Sequence, residues 1–141
     1  MKLRKHLRSR RRGTALVEMA LVGMILILLT FGMAEYAWMF YRFQQVGNVC
    51  RQAARLGATV DATSAQVTTL ADNMLVAYGL SQANSHYTLT VSPSNVSTVA
   101  KGTLLTVSIS IPYTYVSATK MTVFPTPATV HASVSMEKEG E

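Results

Sequence analysis

Between Thr14 and Ala34 the chain reads TALVEMALVGMILILLTFGMA, 21 residues with one charged side chain, Glu18. A helix rising about 1.5 Å per residue covers about 30 Å over such a run, the thickness of the hydrocarbon layer of a bilayer. The run is therefore read as a transmembrane helix. Its carboxylate is costly, about 2.5–3.5 kcal/mol at the bilayer centre on insertion scales. Glu18 needs a reason to be there.

The flanks set a direction. Lys2, Arg4, Lys5, Arg8, Arg10, Arg11 and Arg12 supply seven of the 13 basic residues. Beyond Arg12, six basic residues face seven acidic ones, so the net charge of +6 describes a short tail and not the body. Nucleic-acid binding wants basic residues spread over a folded face, and it is not expected here. A basic block before an apolar run marks a cytoplasmic flank. It leaves the N-terminus inside and the remainder outside, and it outweighs Arg42, Arg51 and Arg55 on the far side.

Two export signals compete for the same run. A secretory signal cut near Gly32-Met33-Ala34 would have a shorter apolar core and no carboxylate in its first turns. A twin-arginine signal at Arg11-Arg12 sits poorly before so hydrophobic a stretch. Cys50 is the one cysteine, so an intrachain disulfide and a cysteine-based metal cluster are excluded. A small buried side chain is the expected state of Cys50.

A third cut lies earlier. Gly13-Thr14-Ala15-Leu16-Val17-Glu18 resembles the type IV prepilin processing site, in which a glycine precedes the cut and a glutamate is the fifth residue of the mature chain. Met19 stands where such sites usually carry an aromatic residue. The stretch from Arg11 to Ala58 resembles the TadE-like minor pseudopilins of the Tad (Flp) pilus system. Glu18, Phe31-Gly32, Glu35 and the closing Ala53-Ala54-Arg55-Leu56-Gly57-Ala58 carry that resemblance. It covers the first 58 residues, and the remainder corresponds only in architecture.

Physical chemistry makes sense of such a site. Glycine lets a protease approach the backbone closely. Arginines hold the scissile bond at the cytoplasmic face through anionic lipid. Cutting after Gly13 frees an α-amino group on Thr14. Glu18 then lies about 6 Å along the axis on nearly the same helix face. A carboxylate that meets an ammonium sheds much of its burial penalty. The partner is either the chain's own terminus or that of a neighbour. The resemblance implies the neighbour, making Glu18 an assembly device. The plainer alternative is that Glu18 snorkels to the cytoplasmic interface.

Beyond the membrane the pattern stays helical. Met39, Phe43, Val46, Cys50, Ala53 and Gly57 form a seam at spacings of 4, 3, 4, 3 and 4. Arg42, Gln44, Asn48, Arg51, Gln52 and Arg55 fall on the opposite side. Tyr36, Trp38 and Tyr41 are placed at the outer membrane interface, with Glu35 solvated there or paired with Arg42 or a neighbour. One helix is predicted from Ala15 to about Gly57.

Asp61 to Ser64 offers N-caps for a short helix carrying Val67, Leu70, Ala71, Met74 and Tyr78, ended by Gly79. Three alternating runs, 87–92, 105–111 and 130–136, predict an antiparallel sheet with one wet face. Pro112, Pro125 and Pro127 make the last connection irregular. The tail from Glu137 to Glu141 is expected to be exposed.

The expected fold is α+β: a long N-terminal helix, one short helix, and a three-stranded antiparallel sheet packed on the helix's outer half, as the pilin resemblance also implies. The expected divisions are a removable leader (1–13), a transmembrane helix (14–34), its outer half (35–57) and an exported domain (58–141). His6, His86 and His131 join no catalytic or metal arrangement, and no phosphate loop or HExxH is present. No enzyme activity, metal or cofactor is expected.

The resemblance implies cleavage at Gly13/Thr14 by a prepilin peptidase, an assembly role for Glu18, and residence in a bacterial inner membrane. The N-terminus would be cytoplasmic and the C-terminal domain periplasmic or extracellular. Its partners would be other pilin or pseudopilin subunits and the pilus assembly machinery. The other reading is an uncleaved single-pass membrane protein with a small outer binding domain.

Overall fold

The computed structural model describes residues 3–120 and 125–139. The basic side chains of the first 12 residues, residues 121–124 within the proline-rich connection, and Gly140 and Glu141 of the tail lie outside it. The chain forms two compact units, Met1–Tyr36 and Ala37–Glu141.

Helix α1 runs over Leu3–Ala58, starting well before the predicted Ala15. Apart from His6 and Ser9, its first turns are Leu, Arg and Lys, good helix formers, with no proline among them. Gly13 lowers propensity by about 1 kcal/mol without breaking the helix. In the first unit nearly every described side chain is exposed, including Leu16 at 72% and Met19 at 74%. Gly32 and Glu35 are buried there. The burial of Glu35 corrects the solvated state expected of it.

In the second unit the outer stretch of α1 packs against a small sheet. Val46, Val49, Cys50, Ala53, Ala54 and Ala58 are buried, a wider stripe than the predicted seam, while Phe43 is only half-buried. Most of these side chains are small, so backbone and sheet come close. Gly57 is the tightest point. A Cβ there would collide with Leu105 Cδ2 and lie 3.3 Å from Val67 Cγ2.

Helix α2, Ser64–Ala77, begins at a capping box. The Thr63 hydroxyl accepts from the Gln66 N–H, and Thr63 N–H donates to Gln66 Oε1 at 2.9 Å, satisfying donors that a helix start leaves free. Its buried face is Val67, Ala71 and Leu75. Leu70 and Met74, predicted on that face, are half-buried beside it. Two single turns, α3 (Gln82–Ser85) and α4 (Tyr113–Val116), fill connections.

The strands are β1 (Thr88–Ser92), β2 (Leu104–Pro112) and β3 (Thr129–Glu137), in spatial order β1-β2-β3 with both pairs antiparallel. Alternation does what the sequence predicts. Leu105, Val107, Ile109 and Ile111 are fully buried on the inner face. The outer face is three rungs of short polar side chains: Thr88, Ser110 and His131; Thr90, Ser108 and Ser133; Ser92, Thr106 and Ser135. Hydroxyls pair across strands, Thr90 with Ser108 at 2.6 Å and Thr106 with Ser135 at 2.8 Å.

The tail is not wholly exposed. Lys138 is buried, and its Nζ donates to the carbonyls of Gly57, at 3.1 Å, and Thr59. Glu139 N–H donates to Ala58 O at 2.8 Å. The end of β3 thus caps the end of α1. Its orphan carbonyls receive donors, and a cation sits at the negative pole of the helix dipole.

Gly57→Ala should lower stability by about 1–3 kcal/mol, because buried Leu105 has no room to swing aside. Shortening the neighbour (Leu105→Val) should be less harmful in that background than in wild type. A double-mutant cycle from urea titrations reads the coupling. Lys138→Met keeps the stem and strands two carbonyls, and should cost about 1–3 kcal/mol in the same titration.

Candidate functional site

The sequence points to Gly13, Thr14 and Glu18. All three lie on α1 within little more than one turn. Gly13, Thr14, Val17, Glu18 and Leu21 share one strip of helix surface, as positions three and four apart must. Glu18 is exposed among exposed apolar neighbours. A Cβ at Gly13 would meet nothing within 4 Å. The fold of this chain therefore does not explain a glycine at position 13, and glycine weakens the helix at that point.

The second unit holds the remaining candidates and keeps them apart. Among the described residues no three His, Cys, Asp or Glu side chains gather as metal ligands would. Cys50 is buried, its thiol 3.5 Å from Ala132 O. Burial pushes its pKa up to about 11, which removes the thiolate at neutral pH and with it the nucleophile. Tyr87, just before β1, donates to Asp72 Oδ1 of α2 at 2.7 Å. Desolvation first, then the bond and charge of Asp72, push the phenol to about 12. His86, at φ +46°, has its ring 4.5 Å from that of Tyr115. His131 stands on the wet face of β3, as expected.

Two residues make tertiary ties that their spacing did not announce. Trp38 was expected at the membrane interface and Arg42 on the polar side of the helix. Trp38 Nε1 donates to Val116 O at 2.7 Å, holding α4. The Arg42 guanidinium sits 4.7 Å from the Trp38 ring centre. It donates to Gln45 Oε1 at 2.9 Å and to Tyr78 O, the C-cap of α2, at 3.0 Å. Burial lowers the Arg42 pKa, although a guanidinium stays charged. Spacing alone did not reveal this, because Arg42 lies just off the apolar seam and reaches over it. The only hint in the sequence was Trp38 one turn away, at a spacing that suits a cation–π pair.

These features define a class: a chain with one helix long and apolar enough to cross a membrane, Gly13–Ala58, carrying a small α+β unit with no assembled catalytic centre among its described residues. Residues 13–55, under a third of the chain, match the family model for TadE-like protein, the family the sequence resembles, and that match suggests a Tad pilus-related membrane protein. The match opens at Gly13 and ends within α1, so the sheet lies outside it. No curated protein and no solved structure matches the chain.

The buried thiol yields a check on this geometry. In the folded protein at pH 8, Cys50 should resist iodoacetamide and react fully only once unfolded; rapid labelling of the native chain would show that the seam around it is open.

Proposed function

We propose that this chain is a minor pseudopilin-like subunit of a Tad (Flp) pilus, inserted in the bacterial inner membrane with its N-terminus cytoplasmic and its sheet unit outside. A prepilin peptidase cuts it between Gly13 and Thr14. Its own chemistry is that of a substrate and a building block, not of an enzyme. The observation that carries this reading is Glu18, exposed on a bare apolar helix one turn after Thr14.

A bare apolar surface of this length must be covered by lipid or by other helices. Within either cover a lone carboxylate is functional by default and needs a partner. The amine freed at Thr14 is of opposite charge and arises at the same depth. Pairing with a neighbour's amine fixes the stagger of two helices, because any slide along the axis reopens an unpaired charge in oil. Gly13 contributes where the cut must happen. The peptidase needs an extended backbone at its centre, and a glycine with no packing duty unwinds from a helix most easily.

The other reading is an uncleaved single-pass protein with an outer binding domain. Intact mass of the chain purified from membranes separates the two: a first residue of Thr14 supports processing, and a retained Met1–Gly13 segment supports the alternative. Glu18→Ala should leave membrane insertion intact and abolish or sharply reduce pili counted by electron microscopy. Normal piliation in that strain would remove the assembly role.

A further inference from the structure

The sheet has two open edges, and they are complementary. Lys138 N–H donates to Thr103 O, and Lys138 O accepts from Gly102 N–H, so Lys138 turns its backbone groups towards β2. In an antiparallel ladder this alternates residue by residue. Val130, Ala132, Val134 and Met136 therefore bond to β2, while His131, Ser133 and Ser135 turn theirs outwards. Carried through the register of β2, the same alternation makes Thr88, Thr90 and Ser92 bond to β2 and leaves Leu89 and Val91 pointing away. Among the described residues, neither outward row has a hydrogen-bond partner.

Edges left open in this way are usually blunted by Lys, Pro or a bulge. Here the stretches Thr88–Ser92 and Val130–Met136 hold no proline, no lysine and no carboxylate. Their inner side chains are also incompletely covered. Leu89, Val91, Ala132, Val134 and Met136 are half-buried, whereas the inner residues of β2 between them are fully buried. Both edges thus carry unpaired backbone and apolar side chains that another strand would cover.

We infer that β3 of one copy pairs in parallel with β1 of a second copy of this chain, extending the sheet from subunit to subunit. The chemistry fits on each count. β1 and β3 run in the same direction within the sheet, so a copy displaced sideways without inversion presents β1 parallel to β3. In a parallel ladder a residue bonds to the two neighbours of the residue opposite it. Leu89 opposite Ala132 would bond to His131 and Ser133, and Val91 opposite Val134 would bond to Ser133 and Ser135. These are the residues whose groups point outwards. Apolar then faces apolar inside, and the hydroxyl rungs continue outside. The contact is head-to-tail, so it propagates instead of closing.

The alternative self-pairing, β3 on β3, is antiparallel and needs a two-fold axis normal to the sheet. That axis would reverse the outer stretch of α1 lying along the sheet, and copies anchored in one membrane must point the same way. The choice of β1 as the partner edge rests on the membrane reading of the chain. It does not depend on cleavage at Gly13 or on Glu18.

Disulfide trapping tests this in the full-length chain in its membrane. Within one copy Thr90 and Ser133 lie at opposite ends of a single rung, two strand spacings or about 9–10 Å apart, too far for a disulfide. In the proposed contact Thr90 of one copy lies beside Ser133 of the next. In a Cys50→Ala background, Thr90→Cys/Ser133→Cys should give a ladder of multimers on mild oxidation, at least about tenfold above either single variant. Should Cys50→Ala fail to fold, the pair can be read with buried Cys50 in place. A monomeric double variant overturns the proposal. So does an equal dimer from Ser133→Cys alone, which reports β3 on β3. Ser133→Pro supplies a second arm. It removes an outward N–H and leaves the β2 ladder intact, so it should erase the ladder trapped by Ser92→Cys/Ser135→Cys. A ladder that survives Ser133→Pro also overturns the proposal.

Discussion

The second unit depends on how closely the outer stretch of α1 approaches β2. Gly57, Ala53, Ala54 and Cys50 are buried with little side-chain height, Leu105 of β2 closes on Gly57, and the Cys50 thiol reaches Ala132 O of β3. Interiors pack at crystal-like density, so a methyl group added or removed along such a contact is felt. The stripe of small residues has a second consequence. Because the small residues of α1 offer little apolar volume there, the largest fully buried apolar side chains come from elsewhere, Leu105, Ile109 and Ile111 from β2 and Leu75 from α2.

Polar ties then fix what packing alone would leave free to slide. Lys138 closes the end of α1 from the far end of the chain, and Glu139 adds a backbone bond beside it. Arg42 and Trp38 do the same further back, reaching the end of α2 and the turn after β2. Each tie joins residues distant in sequence and ends on a backbone carbonyl. A carbonyl acceptor specifies position without depending on a second side chain. Burial makes each tie costly to break, since an abandoned carbonyl has no water to turn to.

The first unit follows a different rule. Its apolar side chains are exposed, and its stability as a helix comes from the medium that covers them. In lipid every backbone group must be satisfied within the segment, which an α-helix achieves alone. The TadE-like match covers this helix and its continuation but not the sheet. The helix answers to the medium around its apolar surface, and the sheet needs only alternation and a wet face.

The sequence by itself determined the long helix from Ala15 onward, the short helix and all three strands, the membrane part of α1 by the length of its apolar run and the rest by periodicity. Apolar residues recur at helical spacing along α1 and α2 and at every second position in β1, β2 and β3, and burial of one face is enough to select the element. It also placed Thr14 and Glu18 on nearly one face, since helix geometry alone fixes the positions of residues four apart. What only the tertiary structure decided are relations between distant positions. Lys138 reads as part of an exposed acidic tail until β3 ends beside the last turn of α1. Arg42 reads as a polar-face residue until Tyr78 and Trp38 surround it. Glu35 reads as interfacial and is buried. Long polar side chains bury their stems and find acceptors wherever chain topology brings them. Topology follows from how the elements pack together, which no local period records.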